Sequence, residues 1–164
     1  MYRKNLFSLA ALAALILFVT ACSDDDNPTK PPEFGSVAGR VTFVGAWPAT
    51  GNVQVSIWAS WPPAGPPSAA TDPIPSGSVT FDYKIDGLNK GLYKALTVGW
   101  RNPANPAGAK VLGIYMNDSS NTGVLGIDSV TGRQMLATPV SIEITDSNPN
   151  LTGLSIKADL AYAQ

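Results

Sequence analysis

Few residues in this chain can carry chemistry. Its 164 residues include no histidine and a single cysteine, Cys22. That composition excludes Ser-His and Cys-His nucleophile pairs, His or Cys zinc sites and any internal disulfide. Carboxylates are present, but general acid–base catalysis needs a pair of them facing one cleft. Asp82 and Asp86, like Asp118 and Asp128, are scattered over turns and outward strand positions. No nucleophile elbow, phosphate loop or nucleotide fingerprint occurs. No catalytic, cofactor-binding or metal-ligating residue is assigned, and the chain is not expected to be an enzyme.

Side chains suited to binding remain. Trp58, Trp61, Trp100 and Tyr115 are the candidate ligand contacts, because an aromatic face accepts the apolar face of a sugar ring. Trp58 is the best placed of them, on an outward position beside a proline-rich loop that carries Trp61. The competing reading makes these rings the cap of a sheet edge. Asn117, Asp118, Ser119, Ser120 and Asn121 offer oxygens to calcium but lack the alternating acids of a dedicated loop. A turn of that composition needs no ion.

The N-terminus defines a location. Arg3 and Lys4 precede an apolar run over residues 6–19. Such a run is too short to cross a bilayer as a helix and suits a signal peptide. It ends Val19-Thr20-Ala21-Cys22, which resembles the lipobox of bacterial lipoproteins. The resemblance implies cleavage before Cys22 and acylation of its thiol, so Cys22 is expected to be the lipid attachment site. Each buried methylene contributes about 0.8 kcal/mol, so two or three acyl chains replace a spanning helix. Residues 22–33 are acidic, proline-rich and almost free of apolar side chains, as an extended tether would be. The acidic cluster Asp24-Asp25-Asp26 looks like the surface-export signal of some Gram-negative groups; a solubilising spacer is the alternative. The expected division is a signal peptide over 1–21, a tether over 22–33 and one folded domain over 34–164.

From Phe34 onward, eight basic residues balance eight acidic ones. No basic stripe addresses nucleic acid or anionic lipid. Charged residues make up 14% of the chain, against about 25% for ordinary soluble domains. The 15 glycines and 14 prolines suit many short strands joined by turns rather than a helical bundle.

Period-two alternation supplies those strands. Residues 36–44 place Val37, Gly39, Val41 and Phe43 on one face. Residues 52–60 bury Val53, Val55, Ile57 and Ala59 and expose Gln54, Ser56 and Trp58. Six prolines make residues 61–77 a long stiff loop. Residues 78–85 turn Val79, Phe81, Tyr83 and Ile85 inward. A two-glycine turn over 86–91 then feeds Tyr93 to Trp100, where Tyr93 and Ala95 oppose Leu96, Val98 and Trp100. There either both faces are covered or a bulge switches register. Residues 101–109 read as a loop. Val111–Ile114 and Val124–Ile127 are candidates to pair as a hairpin. Val140, Ile142 and Ile144 with Leu154, Ile156, Ala158 and Leu160 form the clearest hairpin, with Glu143 opposite Lys157. The expected fold is all-β, an antiparallel sandwich of seven or eight strands.

Gly39-Arg40-Val41, the turn Asp86-Gly87-Leu88 with Gly91-Leu92-Tyr93, and Gly153-Leu154-Ser155-Ile156 resemble the carboxypeptidase-regulatory-like, transthyretin-like sandwiches. The resemblance implies a Greek-key, prealbumin-type fold and a corner tyrosine that packs on its own turn. The proline loop and residues 124–137 depart from the pattern. Self-formed Lys–Asn isopeptide bonds of related sandwiches are not expected, since Arg40 occupies the lysine's place. The expected function is a lipid-anchored envelope protein of the outer membrane, periplasmic or surface-exposed, acting as a structural or protein-interaction module. The alternative is a carbohydrate-binding module built on Trp58 and Trp61. Expected partners are the membrane, through Cys22, and an envelope protein or glycan, with no nucleic acid and no cofactor.

Overall fold

A computed structural model describes residues 32–163. The signal peptide, the Cys22 attachment site and nearly all of the tether lie outside the described residues. The described chain is all-β, with twelve strand segments and no α-helix. The order is β1 (Gly35–Val44), β2 (Asn52–Trp58), β3 (Ala69–Ala70), β4 (Thr80–Leu88), β5 (Gly91–Tyr93) and β6 (Ala95–Asn102). It continues with β7 (Asn105–Ile114), β8 (Val124–Ile127), β9 (Gln134–Leu136), β10 (Ile142–Ile144), β11 (Asn150–Leu151) and β12 (Ile156–Asp159), then a 3-10 turn over Leu160–Ala163.

Two four-stranded sheets carry the core. In one, β1 lies between antiparallel β4 and the successive segments β11 and β12. In the other the order is β3-β2-β6-β7, antiparallel throughout. Alternation along β1 and β2 turns Val37, Val41, Val53, Val55 and Ile57 inward, each at most 2% exposed. They join Leu96, Val98, Ile156 and Ala158 in one hydrophobic cluster. Two separate two-stranded sheets, β5 with β10 and β8 with β9, accompany them.

Backbone approach between the large sheets depends on glycine. A β-carbon on Gly113 of β7 would lie 2.3 Å from the carbonyl oxygen of Lys157 on β12. Any side chain there would push the two strands apart.

The Tyr93 corner has both features that the sequence left open. Lys94 breaks the strand, so β5 pairs with β10 while β6 belongs to the larger sheet. Ala95, Leu96, Thr97 and Val98 are all buried, so both faces of β6 are covered. Tyr93 donates its phenol to the Asn89 carbonyl at 2.8 Å, fastening the corner to its own turn.

Several expectations are corrected. The strands are not all antiparallel, because β11 and β12 run parallel to β1. The terminal hairpin does not form. Val41–Val44 takes β12 as partner, while Ile142 of β10 stands opposite Tyr93. Glu143 therefore faces Leu92, and Lys157 faces Thr42, in their respective ladders. Both apolar stripes remain buried by these exchanges, so alternation alone does not select the partner. Residues 111–114 and 124–127 do not pair in a ladder either, since β7 pairs with β6 and β8 with β9. The Asp128 carboxylate accepts from the backbone N–H groups of Val130 and Thr131 and closes the β8–β9 turn locally. Val79 is 73% exposed, because the ladder with β1 begins only at Thr80; Ala59, beyond the end of β2, is exposed too.

The two segments read as loops carry strand. Residues 61–77 fold back along β2, where Ala69 and Ala70 pair and Ser68, Thr71 and Ile74 donate to Ile57, Val55 and Val53. Pro73, between Thr71 and Ile74, cannot donate, so the loop adds only the two-residue β3 to this edge. Residues 101–109 shrink to a tight connection between β6 and β7. The Asn102 side chain holds it by accepting from the Ala104 N–H at 3.0 Å.

Candidate functional site

The outer face of the β3-β2-β6-β7 sheet carries a groove of about 710 Å³. Direct pairing places Gln54 against Gly99, Ser56 against Thr97 and Trp58 against Ala95. These outward positions form the floor, since Val53, Val55 and Ile57 point into the core. The proline loop supplies one wall through Pro63, Pro66 and Pro67; Gln134 and Leu136 of β9 supply the other.

Trp58 has a fixed pose. Its indole N–H donates to Thr97 Oγ1 at 2.9 Å, so the ring is held toward the next strand. Thr97, only 2% exposed on this outward face, is covered in consequence. The indole's one polar group is satisfied, leaving an aromatic surface at the groove.

The amides that line the groove are engaged as well. Gln54 Nε2 donates to the Thr71 carbonyl at 2.7 Å. The Gln134 amide accepts from the Val111 N–H at 2.8 Å and donates to the Val111 carbonyl at 2.9 Å. Gln134 thus continues the ladder of β7 with a side chain and ties the β8–β9 hairpin to the larger sheet. Among the described residues, the charged ones lining the groove are Arg101 and Lys110, and none is a carboxylate. None of the ion pairs found, Arg40–Asp82, Lys84–Asp86 and Lys90–Asp146, includes either cation.

The four candidate aromatics separate. Trp58 stands in the groove. Trp100 borders it but stands opposite Val53, and its indole donates to the Thr50 carbonyl at 2.8 Å. Tyr115 packs against the hydrophobic cluster and does not line the groove. Trp61 precedes the proline wall without lining the groove, so the expected Trp58–Trp61 platform is not assembled there. Cys22 lies outside the described residues.

Sequence reasoning turned Gln54, Ser56 and Trp58 outward, where the structure leaves them half-buried rather than exposed, and it missed Arg101 and Gln134. Arg101 sat in an apparent loop. Gln134 carried no local signal, because its role depends on the β9 edge meeting β7.

The acidic turns are self-contained. Asp118 Oδ1 accepts from the Ser120 N–H at 2.9 Å and the Ser120 hydroxyl at 2.7 Å. The Ser120 hydroxyl, followed by its N–H, holds the Asp118 carboxyl below its ordinary value. Among the described residues no group of three His, Cys, Asp or Glu side chains is placed to hold a metal ion. No helix among them is long and apolar enough to cross a membrane. Comparison with protein-family models, curated proteins and solved structures gives no match.

Proposed function

We propose that this chain is an exported lipoprotein of the cell envelope, tethered through Cys22, whose β domain acts by binding rather than catalysis. The basic start, the short apolar run and the lipobox-like Val19-Thr20-Ala21-Cys22 support the anchor. The all-β architecture and the Tyr93 corner support a transthyretin-like, Greek-key arrangement, from which the parallel β1–β12 pairing departs.

One observation carries the binding reading: the open groove in which Trp58 is pinned to Thr97 with its ring left at the surface. A fixed aromatic on a sheet floor, between a proline wall and a polar edge, suits a carbohydrate better than a second protein. Protein hot spots also use Trp and Arg, but in closely packed, fully desolvated pockets, whereas this groove is open. The groove therefore favours the glycan over the protein partner.

Two experiments test this. Cys22→Ser is expected to move the protein from the membrane fraction to the soluble fraction; unchanged retention refutes the lipid anchor. Glycan-array binding by the full chain is expected to disappear in Trp58→Ala with an unaltered far-ultraviolet circular dichroism spectrum. Retained binding in that variant removes the groove from the account.

A further inference from the structure

We infer that the groove takes an acidic polysaccharide, a chain containing uronic-acid residues, laid along the strands of the β3-β2-β6-β7 sheet. The inference rests on the glycan reading above and specifies the ligand's charge and extent. Trp58 can offer only its ring, because its N–H is spent on Thr97. Gln54 and Gln134 each commit one amide N–H to a backbone carbonyl. The groove offers an aromatic face together with Arg101, whose guanidinium engages no acid in the ion pairs found among the described residues.

A guanidinium binds a carboxylate through two parallel hydrogen bonds, which a neutral hydroxyl cannot supply. With Lys110 also in the lining and no acid among the described residues there, two cations face the groove although the domain as a whole is neutral. Charge is thus concentrated at this site, and general polyanion binding is not the expectation.

Spacing sets the extent of the ligand. Trp58 stands opposite Ala95, and Arg101 lies six positions further along β6. At a strand rise of about 3.4 Å the two backbone positions are roughly 20 Å apart, and about 14 Å separates Arg101 from Thr97, beside which the indole lies. A chain of several sugar residues spans these positions. Gly99, which has no side chain, leaves a low floor between them over which a linear chain can run.

The test uses the full-length chain in detergent, titrated calorimetrically with oligogalacturonate and with the same oligomer methyl-esterified. Polyaspartate serves as an anionic competitor, and an array of neutral and uronate glycans covers other linkages. The acid form, or another uronate on the array, is expected to bind. Its ester should bind at least about tenfold more weakly, equivalent to about 1.4 kcal/mol. Arg101→Ala should abolish the preference for the acid form, Trp58→Ala should weaken both forms, and Lys84→Ala, on β4, should change neither. Equal affinity for acid and ester overturns the charge assignment while leaving the glycan reading in place. Binding of no glycan overturns both. Displacement by polyaspartate with no effect of Trp58→Ala also overturns both, in favour of an acidic peptide.

Discussion

Tyr83 on β4 donates its phenol to the carbonyl of Leu154, which lies on the other side of β1, and the bond passes over Gly39. Gly39 is the direct ladder partner of Tyr83. A β-carbon on Gly39 would stand 2.1 Å from the Leu154 oxygen and 2.8 Å from the Tyr83 hydroxyl. The absence of a side chain at one residue thus lets a ring cross the strand and join β4 to the segment between β11 and β12. The Leu154 N–H donates in turn to the Ala38 carbonyl at 3.2 Å, closing the link from both sides.

Removing either member should unfasten this clasp. Tyr83→Phe leaves the buried Leu154 carbonyl without its donor and should cost about 1–3 kcal/mol. Gly39→Ala forces displacement of backbone and should cost about 1–3 kcal/mol or more. Urea denaturation of each variant checks both values. The double variant should cost less than the sum, because each change breaks the same contact; strict additivity would refute the clasp.

The clasp also predicts an alkaline limit. Burial, with a smaller contribution from Tyr115, raises the Tyr83 phenol well above its ordinary value of 10.0. A group whose folded pKa is raised contributes stability that is complete below the unfolded value. That contribution is lost as pH rises toward the folded value. Thermal stability should therefore fall above about pH 10, and Tyr83→Phe should flatten the decline. An unchanged slope in the variant would assign the loss to other groups.

Acid should act at the β8–β9 turn. Hydrogen bonds from the Thr131 N–H, the Thr131 hydroxyl and the Val130 N–H hold the Asp128 carboxyl below its ordinary value. A lowered folded pKa gives stability that is present above the ordinary carboxylate range and lost as pH falls through the lowered value. Hydrogen exchange at Val130 and Thr131 should accelerate in that acidic window relative to core amides. Asp128→Ala should show the faster exchange already at neutral pH; protection that persists in this variant would contradict the turn's dependence on Asp128.

Gln134 offers a further check. Its amide makes two hydrogen bonds to Val111, each contributing about 0.5–1.5 kcal/mol net. Gln134→Ala should cost about 1–3 kcal/mol and selectively deprotect the Val111 amide. Gln134→Glu should retain the acceptor but lose the donor, giving an intermediate effect. Equal protection of Val111 in all three chains would show that the hairpin is held by other contacts.

Within the strands, alternation along the chain was enough to assign most inward residues, though not Val79 or Ala59 beyond the strand ends. Val37, Val41, Val53, Val55, Ile57, Ile156 and Ala158 are buried as their alternation predicts, because a strand's two faces are set by its own period of two. The Tyr93 corner was legible for a similar reason, since a phenol four residues from its acceptor depends only on local chain geometry. Pairing depends on distant segments. The stripe at Ile142 and Ile144 fits β12 or β5 equally well by pattern, and packing against Tyr93 chose β5. The tertiary structure likewise aligned β12 parallel to β1, brought Gln134 to Val111 and collected Trp58 and Arg101 on one outer sheet face. Alternation fixes a side chain's direction, whereas the contacts that make a site arise only when sheets and edges come together.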